Sequence, residues 1–445
     1  MAVLTLEPAL PAERKRSQRG PLEVVLCLLV IAMITSTGLL AHRNRVMMTI
    51  PLHAITVAVG PGGNLVEVTA TDQLVPGSRV LAGMPDSDDL AREQAAWLAD
   101  GTVPRVPGLD SDMISAALLD LHVLSQPYGV AVAGWSEPWR YVWPRDAALV
   151  ASALARTGHL ADAERILGFL QHVQPESGFF EARYLPDGSG VPDDRGVELD
   201  GIGWALWVVD QVAAKLNYAD RTAFLERHRQ LIDRSTQAAL RSISTSSALP
   251  LPSADYWEVK ERRLTLATAA VVCAGLGSSA RLYGMLGDVE QRAAAEVAAK
   301  RLRAAIKKDF GHKGYPRHLG GQSDTVDLGV DFLLPPLTSD IDQTLVRAWG
   351  RAATVMARPA GGLAPGGSWR RDGVSWTNAT ASRAMTAASI GDHGEALARL
   401  RWLDQHRTAA GSLPEKVLAD GQPAAVSPLA WTAAAVVITA DQLSS

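Results

Sequence analysis

Residues 135–146 read WSEPWRYVWPRD and mark the place where a buried helix begins. Pro144 is a residue favoured at the first helical position, and an Ala/Leu/Val-rich segment follows it. Arg145 and Asp146 are therefore expected at the mouth of that helix, close to several aromatic side chains. Aromatic faces beside charged groups suit a sugar, which is apolar on its ring faces and polar around its rim. The alternative is an aromatic corner over a core, with Arg145 and Asp146 as a structural ion pair.

Helical segments separated by loops follow one another from about residue 111 onward. Segments 220–241 and 288–309 carry one charged face, whereas 264–282 is apolar nearly all round. A helix that is apolar on every side is buried, and a helix with a charged face lies outside. Six inner and six outer helices in alternation predict an all-α fold, the double-layered (α/α)6 barrel. The predicted helices lie near 111–124, 145–156, 160–173, 200–215, 220–241, 264–284, 288–309, 324–335, 340–358, 376–390, 392–407 and 426–442.

Polar and aromatic residues gather where the predicted inner helices begin. Arg145, Asp200, Glu258, Trp376 and Glu415 all stand at or just before such a helix. Inner helices that share one direction bring these positions to the same end of the barrel. We therefore expect one pocket there, and the Gly-, Pro- and Asp-rich loop 175–194 is expected to narrow its rim.

Composition and motifs exclude several classes of protein. The formal net charge of the 445 residues is −4, and no basic patch indicates a nucleic-acid partner. The ten histidines show no paired spacing, so neither a catalytic metal nor another cofactor is expected. Cys27 and Cys273 are the two cysteines, and Cys273 is expected to be a small core residue.

The N-terminal region is predicted to cross the membrane. Residues 22–41 are almost wholly apolar and long enough to span a bilayer, and a basic cluster precedes them. The chain is therefore divided into a cytoplasmic tail (1–21), a transmembrane signal anchor (22–41), a short β-rich lead-in with a linker helix (46–108) and the barrel (109–445). We expect the barrel outside the cytoplasmic membrane; secretion after signal cleavage is the alternative.

Two glutamates are the candidate catalytic pair. Carboxyl groups that face each other across a sugar suit glycoside hydrolysis, in which one donates a proton and the other activates water. Glu258 follows Trp257, and Glu415 precedes Lys416, which is expected to favour its ionised form. Glu258 has an alternative interpretation as an acid that complements a helix dipole. The rival glutamates are Glu137, Glu176, Glu198 and Glu261.

Four motifs in order resemble glycoside hydrolase family 15, the family of glucoamylases, glucodextranases and some trehalases. They are YVWPRD at 141–146, ELDGIGW at 198–204, DYWEV at 255–259 and LPE at 413–415. The resemblance covers roughly residues 111–443 and implies an (α/α)6 barrel. The sequence departs from the family at Val259, where fungal members have a second acid. It also lacks a clear match to a family arginine, for which Arg370 and Arg371 are possible substitutes.

The resemblance implies a role for each motif residue. Glu258 corresponds to the general acid and Glu415 to the general base of an inverting hydrolysis. The residues expected to bind the sugar are Trp143, Arg145, Asp146, Asp200, Trp257, Trp376 and Trp431. The expected activity is release of a terminal glycosyl unit, α-linked glucose, from an oligo- or polysaccharide. The alternatives are another cell-envelope glycan, a trehalose-like disaccharide, or an inactive barrel that binds a glycan or a partner protein.

Overall fold

The computed structural model describes residues 54–69 and 71–444, and this part of the chain is dominated by helices. The predicted basic tail and transmembrane anchor lie outside the described residues. The α-helices are α1 (Ser87–Ala99), α2 (Met113–Ser125), α3 (Pro144–Arg156), α4 (Leu160–Val173), α5 (Asp200–Ala213), α6 (Tyr218–Arg227), α7 (Arg229–Ser242), α8 (Leu266–Leu286), α9 (Val289–Asp309), α10 (Gln343–Met356), α11 (Thr377–Ser389), α12 (His393–Gln405) and α13 (Ala430–Ser444). The 3-10 helices are Pro61–Gly63, Glu137–Trp139, Gly311–Lys313, Ser323–Thr325 and Leu328–Leu333.

Six buried segments form a closed inner ring. Helix α3 packs on α5, α5 on α8, α8 on the 3-10 helix Leu328–Leu333, that segment on α11, α11 on α13, and α13 back on α3. An outer helix packs against each of them in turn: α4, α7, α9, α10, α12 and α2. The inner helices are buried along almost their whole length, whereas α9 buries only five of its residues. This arrangement confirms the predicted (α/α)6 barrel.

The inner helices α5 and α8 approach each other at glycine. A Cβ atom at Gly203 would lie 2.2 Å from the carbonyl oxygen of Val271, and one at Gly275 would lie 2.5 Å from the Cα of Gly203. Real Cβ atoms essentially never come so close to backbone. The distance between these two helices, which flank the predicted pocket, is therefore set by the absence of side chains.

A small sheet lies beside the barrel. Its strands are β1 (Ala54–Val59), β2 (Leu65–Val68), β3 (Ser375–Trp376), β4 (Lys416–Val417) and β5 (Pro423–Val426), in the order β2-β1-β5-β4-β3. The pair β1–β2 is an antiparallel hairpin with Val57 opposite Glu67, as the predicted β-rich lead-in requires. Strand β1 also pairs in parallel with β5, so the lead-in is joined to the end of the barrel sequence.

Two predicted helices differ from those in the structure. The segment 220–241 is divided into α6 and α7 at His228, whose φ of −100° and ψ of 12° interrupt the helix. The predicted helix 324–335 was wrong, because only the two 3-10 helices Ser323–Thr325 and Leu328–Leu333 form there. The side chain of Asp327 accepts from the backbone N–H of Gly329 and from Arg317 Nη1, which fixes a turn in place of a longer helix.

Among the described residues, one helix is long and apolar enough to cross a membrane. This helix is Leu266–Leu286, and 72% of its most apolar window is buried inside the protein. It is the third segment of the inner ring, so its apolar surface is already covered by its neighbours.

Candidate active site

The predicted site residues lie at the end of the barrel where the inner helices begin. Arg145 and Asp146 occupy the first turn of α3, and Asp200 is the first residue of α5. Glu258 lies in the loop before α8 and Glu415 directly before β4. The hydrogen bonds from Arg145 to Asp200 and to Glu258 bring three of these positions together.

Arg145 joins three acids from different parts of the chain. Its Nη1 donates to Glu198 Oε2 and to Asp200 Oδ2, both at 3.2 Å, and its Nη2 donates to Glu258 Oε1 at 2.8 Å. The side chain of Arg145 is only 4% exposed, and its guanidinium lies 5.4 Å from the ring centre of Trp431. The structure thus makes Arg145 the centre of a buried charge cluster instead of one half of an isolated ion pair.

Burial governs the protonation of the acids around Arg145. It raises the pKa of Asp146 to about 6 and the pKa of Asp200 above its usual range, against the attraction of Arg145. Burial raises the pKa of Glu198 well above its ordinary value, and the neighbouring Glu258 adds to this effect. Glu198 is therefore a carboxyl group that readily keeps a proton in this cluster.

Glu258 is the most accessible acid of the cluster. Its side chain is 28% exposed, and Arg195 holds its second oxygen in a close ion pair. Its backbone N–H donates to the carbonyl of Asp255 at 2.7 Å, and its φ of +56° lies in the left-handed region that non-glycine residues rarely adopt. A tight turn thus directs Glu258 to two arginines, one of which, Arg195, directly follows the predicted rim loop 175–194.

Glu415 lies in a different environment. It is 4% exposed, and Lys416 Nζ lies 3.2 Å from its Oε2 without hydrogen-bond geometry. Burial raises the pKa of Glu415 and the Lys416 ammonium opposes that rise. Lys416 itself is 2% exposed and lies 4.4 Å from the ring centre of Trp376. The predicted partner of Glu415 is therefore in place.

Two of the four predicted tryptophans, Trp257 and Trp376, meet at a further tryptophan, Trp369. The ring of Trp369 meets Trp257 edge to face at 4.7 Å and Trp376 at 5.3 Å between centroids. The indole Nε1 atoms of Trp143, Trp257, Trp369 and Trp376 have no hydrogen-bond partner within the described part of the chain. Indole N–H groups usually find a partner when buried, and sugar hydroxyls are suitable acceptors. The four unpaired indole donors are buried, and they lie among the side chains around Glu258 and Glu415.

The remaining predicted residues take other positions. Trp431 is 3% exposed, and its Nε1 donates to Ser382 Oγ. Its ring faces the Arg145 guanidinium, so Trp431 packs against Arg145 and does not line an open pocket. Arg370 and Arg371 are exposed. Among the rival glutamates, Glu137 and Glu176 are exposed as well. In Glu261, hydrogen bonds from His318 and Arg317 outweigh the effect of burial and lower the pKa.

Arg195, Trp369 and Arg317 are site residues that the sequence analysis did not single out. Arg195 reaches Glu258 across 63 positions of the chain, from a loop without periodicity. Trp369 directly precedes Arg370 and Arg371 in a loop, and no motif of the sequence includes it. Within residues 54–69 and 71–444, no group of three or more His, Cys, Asp or Glu side chains is arranged to hold a metal ion.

The chain is similar to known glycoside hydrolases in sequence and in structure. No family model matches it. The isomaltose glucohydrolase of Kribbella flavida is 26% identical over 347 residues, which are 68% of this chain and 84% of that protein. A solved wild-type glycosidase superposes with a TM-score of 0.65 at 22% identity, over 76% of this chain and 99% of that one.

Two glucoamylases share the fold at lower identity. A bacterial glucoamylase complexed with acarbose gives a TM-score of 0.66 at 18% identity, over 80% of this chain and 58% of that one. The glucoamylase of Saccharomycopsis fibuligera gives 0.59 at 12% identity, over 74% and 93%. Together the comparisons confirm the resemblance to glycoside hydrolase family 15 and the predicted class of enzyme, a glycoside hydrolase.

Proposed function

We propose that this glycoside hydrolase releases α-linked glucose from the end of an oligosaccharide with inversion, using Glu258 as general acid and Glu415 as general base. The observation that carries the proposal is the contrast between the two carboxyl groups. Glu258 is reached by solvent and held by Arg145 and Arg195, whereas Glu415 is buried beside a single lysine. Inverting hydrolysis needs one carboxyl group that carries a proton and one that is ionised. The proposal therefore requires Arg195 to release Glu258 before this acid binds its proton, and Lys416 to keep Glu415 ionised against the effect of burial.

The acid step requires a free oxygen on Glu258. Arg145 is buried and fixed by Glu198 and Asp200, whereas the side chain of Arg195 is 37% exposed. Arg195 is therefore the partner that leaves when a sugar enters, and the freed oxygen then faces the leaving glycosidic oxygen. Glu258 binds a proton from solvent before the bond breaks and delivers it to the departing sugar.

The base step belongs to Glu415. Its buried carboxylate takes a proton from the attacking water, and the Lys416 ammonium stabilises its charged form. The rings of Trp143, Trp257 and Trp376 are assigned to contact with the sugar. No metal or cofactor is required, because both proton transfers are assigned to carboxyl groups.

The sugar pocket also uses Arg145, Asp146 and Asp200. Arg145 and Asp200 form the floor on which hydroxyl groups are held, and Asp146 contributes a carboxyl whose pKa burial raises to about 6. Trp431 lies against Arg145 and keeps its guanidinium in place. The name of the relative from Kribbella flavida supports an α-glucoside, with isomaltose as the first compound to try.

The proposed location is outside the cytoplasmic membrane, with 22–41 as the anchor. This proposal is supported by the apolar length of the segment and the arginines and lysine before it. Fusion of residues 1–45 to a reporter enzyme that is active only outside the cytoplasm tests it. Activity of the reporter in the membrane fraction supports an anchor, and activity in the medium supports cleavage.

The test of activity is hydrolysis by a fragment that starts near residue 46. Isomaltose, maltose, trehalose and cell-envelope glycans are supplied, and the anomer of the first product is followed by NMR. The expected product is β-glucose from an α-linkage. Glu258→Gln and Glu415→Gln are each expected to lower kcat by about 10²–10⁴-fold. Glu176→Gln is the matched control, because Glu176 is an exposed loop glutamate.

Each alternative has its own outcome in this experiment. Release of α-glucose would assign retention, and loss of activity in Glu198→Gln with normal activity in Glu258→Gln would transfer the acid role to Glu198. Preference for trehalose or an envelope glycan would change the substrate and keep the mechanism. A folded fragment that hydrolyses none of these glycans would favour the inactive barrel.

A further inference from the structure

Arg317 is a fully buried arginine outside the motifs of the sequence analysis. Its side chain is 0% exposed, and it binds three acids at once. Its Nη2 donates to Asp255 Oδ1 at 2.8 Å and to Glu261 Oε1 at 2.7 Å, and its Nη1 donates to Asp327 Oδ2 at 2.6 Å. Asp255 and Asp327 are fully buried and Glu261 is partly buried, so charge-assisted hydrogen bonds from three sides hold the guanidinium in one orientation.

The partners of Arg317 enclose the proposed acid. Asp255 lies three residues before Glu258, and Glu261 lies three residues after it. Asp255 also accepts from the backbone N–H of Trp257 at 3.0 Å, and its carbonyl accepts from the N–H of Glu258 at 2.7 Å. Arg317 therefore fastens both ends of the turn in which Glu258 adopts a φ of +56°. A residue keeps such a conformation only when its surroundings determine it.

Arg317 also fixes the side chain next to Glu258. Its guanidinium lies 3.6 Å from the ring centre of Trp257. Gly366 also lies against this ring, where an added Cβ would be 2.7 Å from Trp257 Cζ2, and Trp369 meets the ring edge to face. Trp257 consequently has little freedom to rotate, and the backbone of Glu258 cannot turn without moving it.

The third partner ties this turn to the rest of the barrel. Asp327 precedes the 3-10 helix Leu328–Leu333 of the inner ring and forms a bridge with Gly366. Tyr256 adds a hydrogen bond from its hydroxyl to the carbonyl of Pro365 at 2.9 Å. The loop of the proposed acid is thus held on the fourth inner segment, the one that is not a regular α-helix.

We infer that Arg317 is a positioning residue for the proton donor: its contacts with Asp255, Glu261 and the Trp257 ring hold Glu258 where it can protonate the leaving oxygen. The inference rests on the proposed function, in which Glu258 is the acid. Among the described contacts, Arg317 acts on Glu258 only through Asp255, Glu261 and Trp257. Its loss therefore weakens the protonation of the leaving group, whereas the action of Glu415 remains.

The test compares two substrates of the same sugar with different leaving groups. Isomaltose has a poor leaving group that must be protonated, whereas α-D-glucosyl fluoride loses fluoride with little help from an acid. Arg317→Lys keeps the positive charge among the three acids and loses the planar contact with Trp257. The expected result is a fall of kcat by about 30-fold or more on isomaltose and by less than about 3-fold on the fluoride. A change of sugar binding through Trp257 would alter KM alike for both substrates, which carry the same sugar.

Arg383→Lys is the matched control. Arg383 is also a buried arginine on an aromatic ring, 3.2 Å from the centre of Trp349, and it forms an ion pair with Glu395 at 3.1 Å. It has no contact with the turn of Glu258 among those described. Its substitution is expected to lower stability to a similar degree and to change both substrates equally. An equal loss on both substrates in Arg317→Lys would show a purely structural role and overturn the inference.

A second variant decides the matter if Arg317→Lys does not fold. Glu261→Gln removes the charge of one partner and leaves Asp255 and Asp327 on Arg317. It is expected to lower kcat on isomaltose by about 3–10-fold and to leave the fluoride unchanged. Glu258→Gln is run beside it. If that variant shows no dependence on the leaving group, the assignment of the acid fails, whatever the result for Arg317.

Discussion

Gly203→Ala tests whether the distance between two inner helices sets the geometry of the site. Gly203 lies on α5, one turn after Asp200, and faces the carbonyl of Val271 on α8. The added Cβ would lie 2.2 Å from that oxygen, and ordinary contact begins at 3.4 Å. The helices must therefore part by about 1.2 Å, the difference between these two distances.

The expected cost follows from two opposing effects. Forcing a methyl group into a packed core costs roughly 1–3 kcal/mol, and the upper end applies here because the obstacle is backbone. Alanine is favoured over glycine in a helix by about 1 kcal/mol, which offsets part of that cost. Gly203→Ala is thus expected to lower the free energy of unfolding by about 2 kcal/mol. The displacement of Asp200 from Arg145 is expected to lower kcat by about 10–100-fold, since misplacement by 1 Å can have that effect.

The assays are urea unfolding and steady-state hydrolysis of isomaltose. Gly168→Ala on the outer helix α4 is the control, because no described atom outside the backbone of its own helix lies within 4 Å of its added Cβ. That variant is expected to gain about 0.5–1 kcal/mol and to keep its activity. If Gly203→Ala were as stable and as active as Gly168→Ala, close packing at this position would not control the site.

Two further predictions concern pH. Lys416→Met removes the charge that opposes the effect of burial on Glu415, so the pKa of Glu415 is expected to rise. The acidic limb of the pH profile of kcat/KM then moves to higher pH. An unchanged limb would contradict the role of Lys416. Burial lowers the pKa of His122, which stacks on Trp97, to about 4 in the folded protein, whereas the unfolded value is 6.5. Protons then bind mainly to the unfolded chain as pH falls from 6.5 to 4, so about 3 kcal/mol of stability is lost there. Urea unfolding at pH 7 and 4.5 measures this loss, which His122→Gln is expected to reduce.

The barrel could be predicted because burial leaves a periodic signal. A helix such as Leu266–Leu286 is apolar all round, and its charged neighbour Val289–Asp309 is not, so the alternation of layers is visible in the sequence. The prediction of a helix over 324–335 was wrong, because burial alone does not show where a helix is interrupted. The segment is apolar and buried, but the turn at Asp327 depends on Arg317, and a contact between side chains leaves no periodic pattern.

The site was predictable where motifs are local and not where partners are distant. Arg145 and Asp146 stand in one motif, and their place at the start of α3 follows from Pro144. Arg195 and Trp369, in contrast, lie in loops whose path depends on packing of the whole barrel. The contacts of Arg195 with Glu258 and of Trp369 with Trp257 can therefore be predicted only once the three-dimensional fold is known.

The two proposed catalytic carboxyl groups are held by different kinds of interaction. Glu415 is positioned by backbone hydrogen bonds, since its N–H donates to the carbonyl of Val426 at 2.8 Å. Strand β5, which ends at Val426, pairs with β1, and the N–H of Ser427 donates to the carbonyl of Ile55 at 2.9 Å. A fragment for activity assays must therefore keep residues 54–59, although they lie far from Glu415 in sequence.

Glu258, in contrast, is positioned by ion pairs of side chains. Arg145 and Arg195 hold its carboxylate, and Arg317 holds the turn that carries it. Hydrogen bonds of a sheet tolerate many side-chain substitutions, whereas a buried ion pair loses its partner with a single change. Substitutions that conserve the fold are therefore expected to impair the acid more often than the base. Activity on a substrate with a good leaving group would then survive where activity on isomaltose is lost, so the ratio of the two activities reports which carboxyl group a substitution has disturbed.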